Sequence, residues 1–295
     1  MRRVLVGGGS GFIGSKVVQG LETRGYQVTV VSRQPGHGRV TWDKLRHNGF
    51  DKEYHAVLNA AGALVFDPLK RWNAQMEREC RNSRIETAKT LARCIDSCTY
   101  IKPSVFLQIS GIGFYEPRQD VVQDESFPAG SGYWGQFTRE WEQSAQPLSS
   151  PETRMIFVRP GVVLGKDGGA FPAIKRQFQL FAGGVQGDGS HQFPWVHVDD
   201  LVALCIFCIE HQEISGPVNA VSPNPITNAH FTEVLASSMH RPRLVPTPRF
   251  ALEILLGKTR TELLLDNPQA VPRKLLDAGY QFKHPQVYQC IQSLL

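Results

Sequence analysis

At 295 residues, with 41% hydrophobic and 20% charged positions, the chain holds one large domain or a large and a small one, with ample material for a core. Its formal net charge of +5 comes from scattered basic residues; Arg2-Arg3 and Arg241-Pro242-Arg243 are short clusters that read as solvated surface rather than a nucleic-acid face. No apolar run approaches the roughly 18 residues of a membrane span, so nucleic acid and membrane are both set aside as partners.

Val4–Gly7 reads as a first strand, and Gly11–Arg24 as the helix that follows it. Between them the chain turns through Gly8-x-x-Gly11-x-x-Gly14. Glycines at this spacing permit a tight turn and let the backbone approach a pyrophosphate. The helix behind them offers unpaired N–H groups and the positive end of its dipole. A glycine cluster alone is weak evidence; a strand before it and a helix after it are what the mechanism requires. Gln27–Ser32 is the second strand, with Val28, Val30 and Val31 supplying β-branched bulk. An NAD site usually has Asp or Glu at its end, to accept from the ribose hydroxyls. Here stand Ser32 and Arg33. A guanidinium pairs with a 2′-phosphate, so the cofactor expected is NADP.

His55–Asn59 is another buried strand, ending at Ala60-Ala61-Gly62. A helical stretch from about Trp72 to Asp96 puts Ile85, Ala88, Leu91, Ala92 and Ile95 on one face. Ser104–Ile109 is a strand closing on Ser110-Gly111, Tyr133–Ala145 a helix, and Met155–Val158 a strand running into Arg159-Pro160-Gly161. Strands alternating with helices predict an α/β fold, a Rossmann-type doubly wound parallel sheet.

After residue 165 the glycine-rich loops Gly165–Gly169 and Gly183–Gly189 interrupt the pattern. Phe193–Asp200 reads as a strand and turn, Leu201–Glu210 as a helix, and Asn228–His240 as a helix capped by its Asn. Phe250–Leu256 and Glu262–Leu265 follow as short apolar helices. The expected division is 1–165 as the NADP-binding core and 166–295 as a mixed region that completes the core and forms a smaller C-terminal cap lobe over the strand ends. Of six cysteines, Cys205 and Cys208 have CxxC spacing but lie in an apolar segment with no second ligand pair. They read as buried thiols, and no metal is expected. Reduced cysteines and a first strand so near Met1 predict a cytoplasmic protein, with an organelle matrix as the alternative if a presequence has been removed.

The turn Gly8–Gly14, Ser32-Arg33, Asn59-Ala60-Ala61-Gly62, Ser83-Arg84, Arg159-Pro160-Gly161-Val162-Val163-Leu164-Gly165 and Phe193-Pro194-Trp195-Val196-His197-Val198-Asp199-Asp200-Leu201 together resemble an atypical short-chain dehydrogenase/reductase of the sugar-epimerase-like "epimerase family protein" subfamily. The tail, Glu262–Leu265 with Pro272–Tyr280, resembles that subfamily's C-terminal domain of unknown function. The resemblance implies that Ser10, Gly11, Phe12 and Ile13 contact the pyrophosphate and Ser32 and Arg33 the adenosine phosphate. It implies that Asn59, Ala60 and Ala61 line the adenine and ribose, that Gly161 and Val162 lie near the nicotinamide, and that Glu79 and Arg84 reach the cofactor edge.

It also implies hydride transfer by a Tyr-x-x-x-Lys pair on one helix face, helped by a Ser after the preceding strand. Here the sequence departs. Tyr133 is followed four residues on by Phe137; registered on Glu142 instead, Trp134 and Thr138 take the two places, and neither register holds a lysine. Tyr133, Tyr115 and Ser110 remain the candidate catalytic groups, and His197 reads as a structural residue at the turn into Asp199-Asp200. Two functions stay open. One is an NADP-dependent oxidoreductase or epimerase on a small polar substrate. The other is an inactive NADPH-binding sensor or scaffold that engages a protein partner.

Overall fold

The computed structural model describes residues 2–66, 72–118, 120–146 and 150–295. The chain runs β1 (Arg3–Gly7), α1 (Phe12–Thr23), β2 (Gln27–Ser32), β3 (Arg39–Thr41), α2 (Trp42–Asn48), β4 (Ala56–Asn59), α3 (Ala74–Asp96) and β5 (Val105–Ile109). A short 3-10 turn (Ile112–Phe114), β6 (Val122–Gln123), α4 (Tyr133–Ser144), β7 (Arg154–Pro160), β8 (Val162–Gly165) and β9 (Gly168–Gly169) follow. Then come α5 (Phe171–Gln179), β10 (Trp195–His197), α6 (Val198–Glu210), β11 (Gly216–Ala220), α7 (Asn228–Met239), α8 (Arg249–Leu256), α9 (Lys258–Leu265), β12 (Gln269–Ala270), α10 (Arg273–Asp277) and α11 (Val287–Leu294).

Seven strands form one parallel sheet in the order β11-β7-β5-β4-β1-β2-β3. The order reverses beside β1, and in such sheets that switch point is where a crevice opens. Each face carries its own core. Val4, Val6, Leu58 and Leu107 pack with Val17 and Leu21 of α1 and Leu201, Leu204 and Cys205 of α6. Leu5, Val57 and Phe106 pack on the other side with Ile85, Ala88 and Leu91 of α3 and Phe137 and Trp141 of α4. Parallel strands buried on both faces read as continuous apolar runs, which is why the central ones are visible in the sequence.

The edges are not. β11 reads Gly-Pro-Val-Asn-Ala and is absent from the sequence reading, yet it completes the sheet. Among the described strands it pairs with β7 alone, at the sheet's edge, and an edge tolerates a proline that a central strand would not. The α7 cap also differs from expectation. The Thr227 hydroxyl accepts from His230 N–H, while the Asn228 side chain accepts from Gln186 N–H at 2.9 Å, tying α7 to the loop after α5. A third core, with Phe171, Trp195, Phe231 and Ile291, joins α5, α7 and α11 to the β8–β10 pair. Cys205 and Cys208 are buried free thiols.

Candidate functional site

The crevice at the carboxyl end of β1 is made by the backbone. Gly8 has φ +73°, and a Cβ there would sit 2.7 Å from the Ala61 backbone. A Cβ on Gly14 would lie 2.1 Å from the Gly8 carbonyl oxygen. Only hydrogen atoms fit at these two positions, so turn, helix start and the Ala60-Ala61 loop close on one another. Gly11 N–H donates to Gly8 C=O at 2.9 Å. Gly11 caps α1 with no side-chain acceptor, and the helix has no acidic residue in its first turn. The first N–H groups of α1 therefore face outward with the dipole's positive end. Ser10 and Gly11 are exposed, and Phe12 and Ile13 half-buried. The Phe12 ring is clamped beneath Gly165 and Gly168, where a Cβ would come within 2.5 Å and 2.3 Å of it. This holds the β8–β9 hairpin against the helix start.

At the adenosine end, Ser32 is buried and its hydroxyl donates to the Gln34 carbonyl, turning the chain so that Arg33 stands exposed. No carboxylate pairs with Arg33 among the described residues. Asn59 is fully buried. Its amide donates to Gln108 Oε1 at 2.9 Å and its oxygen accepts from Ala61 N–H at 3.1 Å. It braces the crevice floor while Ala60 and Ala61 form the surface. Arg84 packs against Gly62 and lies 5.2 Å from the Trp141 ring, at the edge of that floor. Glu79, nearer the start of the helix, accepts from Gln75 at 3.3 Å. Gly161 and Val162 are fixed at the end of β7 by Gly161 N–H to Ala220 C=O and Val162 N–H to Pro194 C=O.

The candidate catalytic groups fall into two places. Ser110 and Tyr115 belong to a buried polar chain. The Ser110 hydroxyl donates to Glu142 Oε1 at 2.8 Å. Glu142 takes two 2.8 Å bonds from Arg159 Nε and Nη2. Arg159 Nη1 donates to the Tyr115 hydroxyl, which donates to Asn219 Oδ1, each at 2.8 Å. Asn219 N–H closes the chain on Glu125 at 2.9 Å. The Arg159 guanidinium also lies 3.4 Å from the Phe114 ring centroid. Every polar atom a buried ion pair needs satisfied finds a partner here, which is the condition under which such a pair is tolerated. Burial pushes the Tyr115 phenol up to about 12.

Tyr133 stands apart from that chain, at the start of α4, with its ring against Trp134 and Phe137. It faces α3. Burial, with Glu77 nearby, pushes its phenol up to about 12, and Arg81 opposes the rise. The Arg84 cation feels the same phenol. Tyr133 therefore shares its surroundings with the Gly62 side of the crevice. The sequence reading gave no role to Glu142, Arg159, Asn219 or Glu125. A signal was present: Arg159 directly follows the apolar run Met155–Val158 on a strand buried in the sheet, and Glu142 falls on the α4 face that also carries Thr138 and Trp141.

His197 caps α6, its Nδ1 accepting from Asp199 N–H at 3.0 Å, while Nε2 faces Ser293 Oγ at 3.3 Å. That is the structural role its motif suggested. His197, Asp199 and His284 bring potential metal ligands within 4.8 Å of one another. Both His197 nitrogens are already engaged, however, and Lys283 holds Asp199 at 3.2 Å.

A parallel doubly wound sheet with a glycine cradle at its switch point defines a dinucleotide-binding Rossmann protein of the atypical short-chain dehydrogenase/reductase kind. The NAD dependent epimerase/dehydratase family model matches residues 4–221, and a domain of unknown function, DUF1731, matches residues 247–294. The chain belongs to the NAD dependent epimerase/dehydratase family. It is 36% identical over 294 residues to the Homo sapiens epimerase family protein SDR39U1, covering 99% of each. It is 32% identical over 304 residues to the chloroplastic SDR39U1 homologue of Arabidopsis thaliana, covering 99% of this chain and 86% of that one. The crystal structure of human SDR39U1 (isoform2) with NADPH superposes with a TM-score of 0.95 at 36% identity, over 99% of this chain and 98% of the other. No helix among the described residues is long and apolar enough to cross a membrane.

Proposed function

We propose that this protein binds NADP(H) and uses it to reduce a carbonyl compound held at the carboxyl ends of β5 and β7. The observation that carries the cofactor is the cradle: two positions where a Cβ cannot fit, an uncapped helix start, and an exposed arginine where an NAD site places an acid. The human relative crystallised with NADPH supports the same choice. Ser10, Gly11, Phe12 and Ile13 hold the pyrophosphate, Ser32 and Arg33 the 2′-phosphate, Ala60, Ala61 and Arg84 the ribose edge, and Gly161 and Val162 the nicotinamide side. NADPH supplies the hydride.

Tyr133 supplies the proton. A phenol held up to about 12, with no lysine on its helix, stays protonated at neutral pH. It is a poor base, which disfavours alcohol oxidation. It is still far more acidic than the alkoxide left by hydride addition, whose basicity approaches that of hydroxide (water's pKa is about 15.7). A phenol that keeps its proton is placed to donate it, which suits the reductive half of the reaction. Ser110, fixed on Glu142, shapes the far wall.

Replacing Arg33 with Asp should weaken NADPH about a hundredfold while leaving NADH within about threefold; equal losses for both overturn the phosphate assignment. Tyr133→Phe should cut carbonyl-dependent NADPH oxidation about a hundredfold with NADPH affinity unchanged. The second reading is a cofactor sensor, favoured by the two phenols locked high. Tight NADPH binding with no oxidation against any carbonyl tested would establish it.

A further inference from the structure

The turn that leaves β2 carries more positive charge than one arginine. From Arg33 to Arg39 the chain reads Arg-Gln-Pro-Gly-His-Gly-Arg, with no acid. Both arginines are exposed, and among the described residues no carboxylate pairs with either guanidinium. A phosphate monoester such as the 2′-phosphate of NADP carries a charge of about −1.5 to −2 at neutral pH, which one guanidinium leaves unbalanced.

The sheet places Arg39 on the cradle's side. Strands β2 and β3 pair in parallel, with Val30 opposite Arg39, Val31 opposite Val40 and Ser32 opposite Thr41. Val31 and Val40 are buried in one core with Leu45 of α2 and Ile85 of α3. Side chains alternate along a strand, so Val30, Ser32 and Arg39 face the opposite way. That face meets the glycine turn: a Cβ on Gly9 would lie 2.9 Å from both Val30 methyl groups. The segment after Ser32 folds back on this pair of strands. Val30 N–H donates to Gly38 C=O and Arg39 N–H to Gly36 C=O, each at 3.1 Å. The Arg39 side chain runs along Gly36, where a Cβ would come within 3.2 Å of its Cδ and 3.7 Å of its Nε. It therefore lies against the turn that Arg33 opens.

We propose that Arg33 and Arg39 together clamp the 2′-phosphate, so that Arg39 is a second residue setting the preference for NADP over NAD. The inference rests on the cofactor reading above and adds to it a residue from the neighbouring strand. Two guanidiniums match a dianion in charge, and each offers a fork of donors to its oxygens. A charge on an edge strand can also serve only to deter edge-to-edge pairing. An arginine kept for that purpose alone would not discriminate between the two cofactors, which gives the test its contrast.

Calorimetric titrations compare NADPH with NADH, and adenosine 2′,5′-bisphosphate with AMP, in the parent chain and in Arg39→Ala. The second pair carries no nicotinamide and reads the adenosine end alone. Arg39→Ala should weaken NADPH and the bisphosphate at least about tenfold. It should leave NADH and AMP within about twofold, with an unchanged melting temperature. Arg33→Ala combined with Arg39→Ala should erase the preference, so that NADPH binds no better than NADH. Equal losses of NADPH and NADH affinity in Arg39→Ala give the residue a structural role and overturn the proposal, as does a preference that survives the double substitution. If the parent chain prefers NADPH and Arg39→Ala keeps that preference in full, the clamp fails while the cofactor reading stands. If the parent chain binds NADPH no better than NADH, both fail.

Discussion

The two ends of the crevice are built by opposite means. At the nucleotide end, the surface is main chain: glycines, a helix start and the Ala60-Ala61 loop, with side chains kept out by contacts below 3 Å. At the β5–β7 end, the wall is side chain: Ser110, Glu142, Arg159, Tyr115, Asn219 and Glu125, linked by bonds of 2.8–2.9 Å. A backbone cradle recognises what every dinucleotide has in common, its pyrophosphate. A side-chain wall can vary without disturbing the cradle, and in this chain it holds a buried ion pair, Glu142–Arg159, on the helix whose tyrosine–lysine places carry no lysine. The two ends can vary independently because different parts of the chain supply them.

The sharpest way to break that contrast is Glu142→Ala. Arg159 is 4% exposed at its side chain, and stripping its partner leaves a buried unpaired charge, which costs about 3–5 kcal/mol. The melting temperature should fall accordingly. Glu142→Leu combined with Arg159→Met should recover most of the loss, and failure of that rescue would show the pair to be more than a satisfied charge. NADPH affinity should change little in a folded double variant.

Gly14→Ala is the complementary test. Its added Cβ meets the Gly8 carbonyl oxygen at 2.1 Å, so the turn must open. NADPH binding should weaken about a hundredfold, or roughly 2.7 kcal/mol, measured by nicotinamide fluorescence. Binding retained within about threefold would mean that the cradle is not the cofactor site.

The smallest expected effect lies at the seam between the core and the C-terminal segment. Burial, with the His284 ring at 4.0 Å, pushes His197 down to about 4. Asp199 opposes the shift and Lys283 adds to it. The unfolded chain takes up its proton near pH 6.5, before the folded chain does. Between about 6.5 and about 4 the unfolded state binds more protons, so stability falls as the pH is lowered through that window. The loss from pH 7 to pH 5 should be on the order of 1–2 kcal/mol. His197→Asn keeps an N-cap acceptor for α6 and should flatten the slope in a thermal-melt series.

The glycine turn and the acid-free end of β2 are legible because each is a local requirement. A left-handed φ at Gly8 or a missing carboxylate after Ser32 can be stated from neighbouring residues alone. The central strands are legible for a similar reason, since burial on both faces imposes a continuous apolar run. Strand β11 was not, because pairing along one edge lets Gly216 and Pro217 stand where a central strand would exclude them. The α7 cap was misplaced by one residue. Thr227 and Asn228 can both cap, and only the loop at Gln186 decides which is engaged elsewhere.

By itself the amino-acid sequence determined the class of fold, the cradle and the character of the cofactor, all properties of short contiguous segments whose backbone conformation follows from residue type. Tertiary structure alone decided that Ser110 meets Glu142, that Arg159 reaches Asn219 through Tyr115, and that Trp134 meets both Trp72 and the Thr259 carbonyl. Those groups come from segments as much as 187 residues apart, from Trp72 to Thr259. Their meeting depends on how the sheet stacks its strands and how the C-terminal helices fold back over its end, which no local propensity encodes.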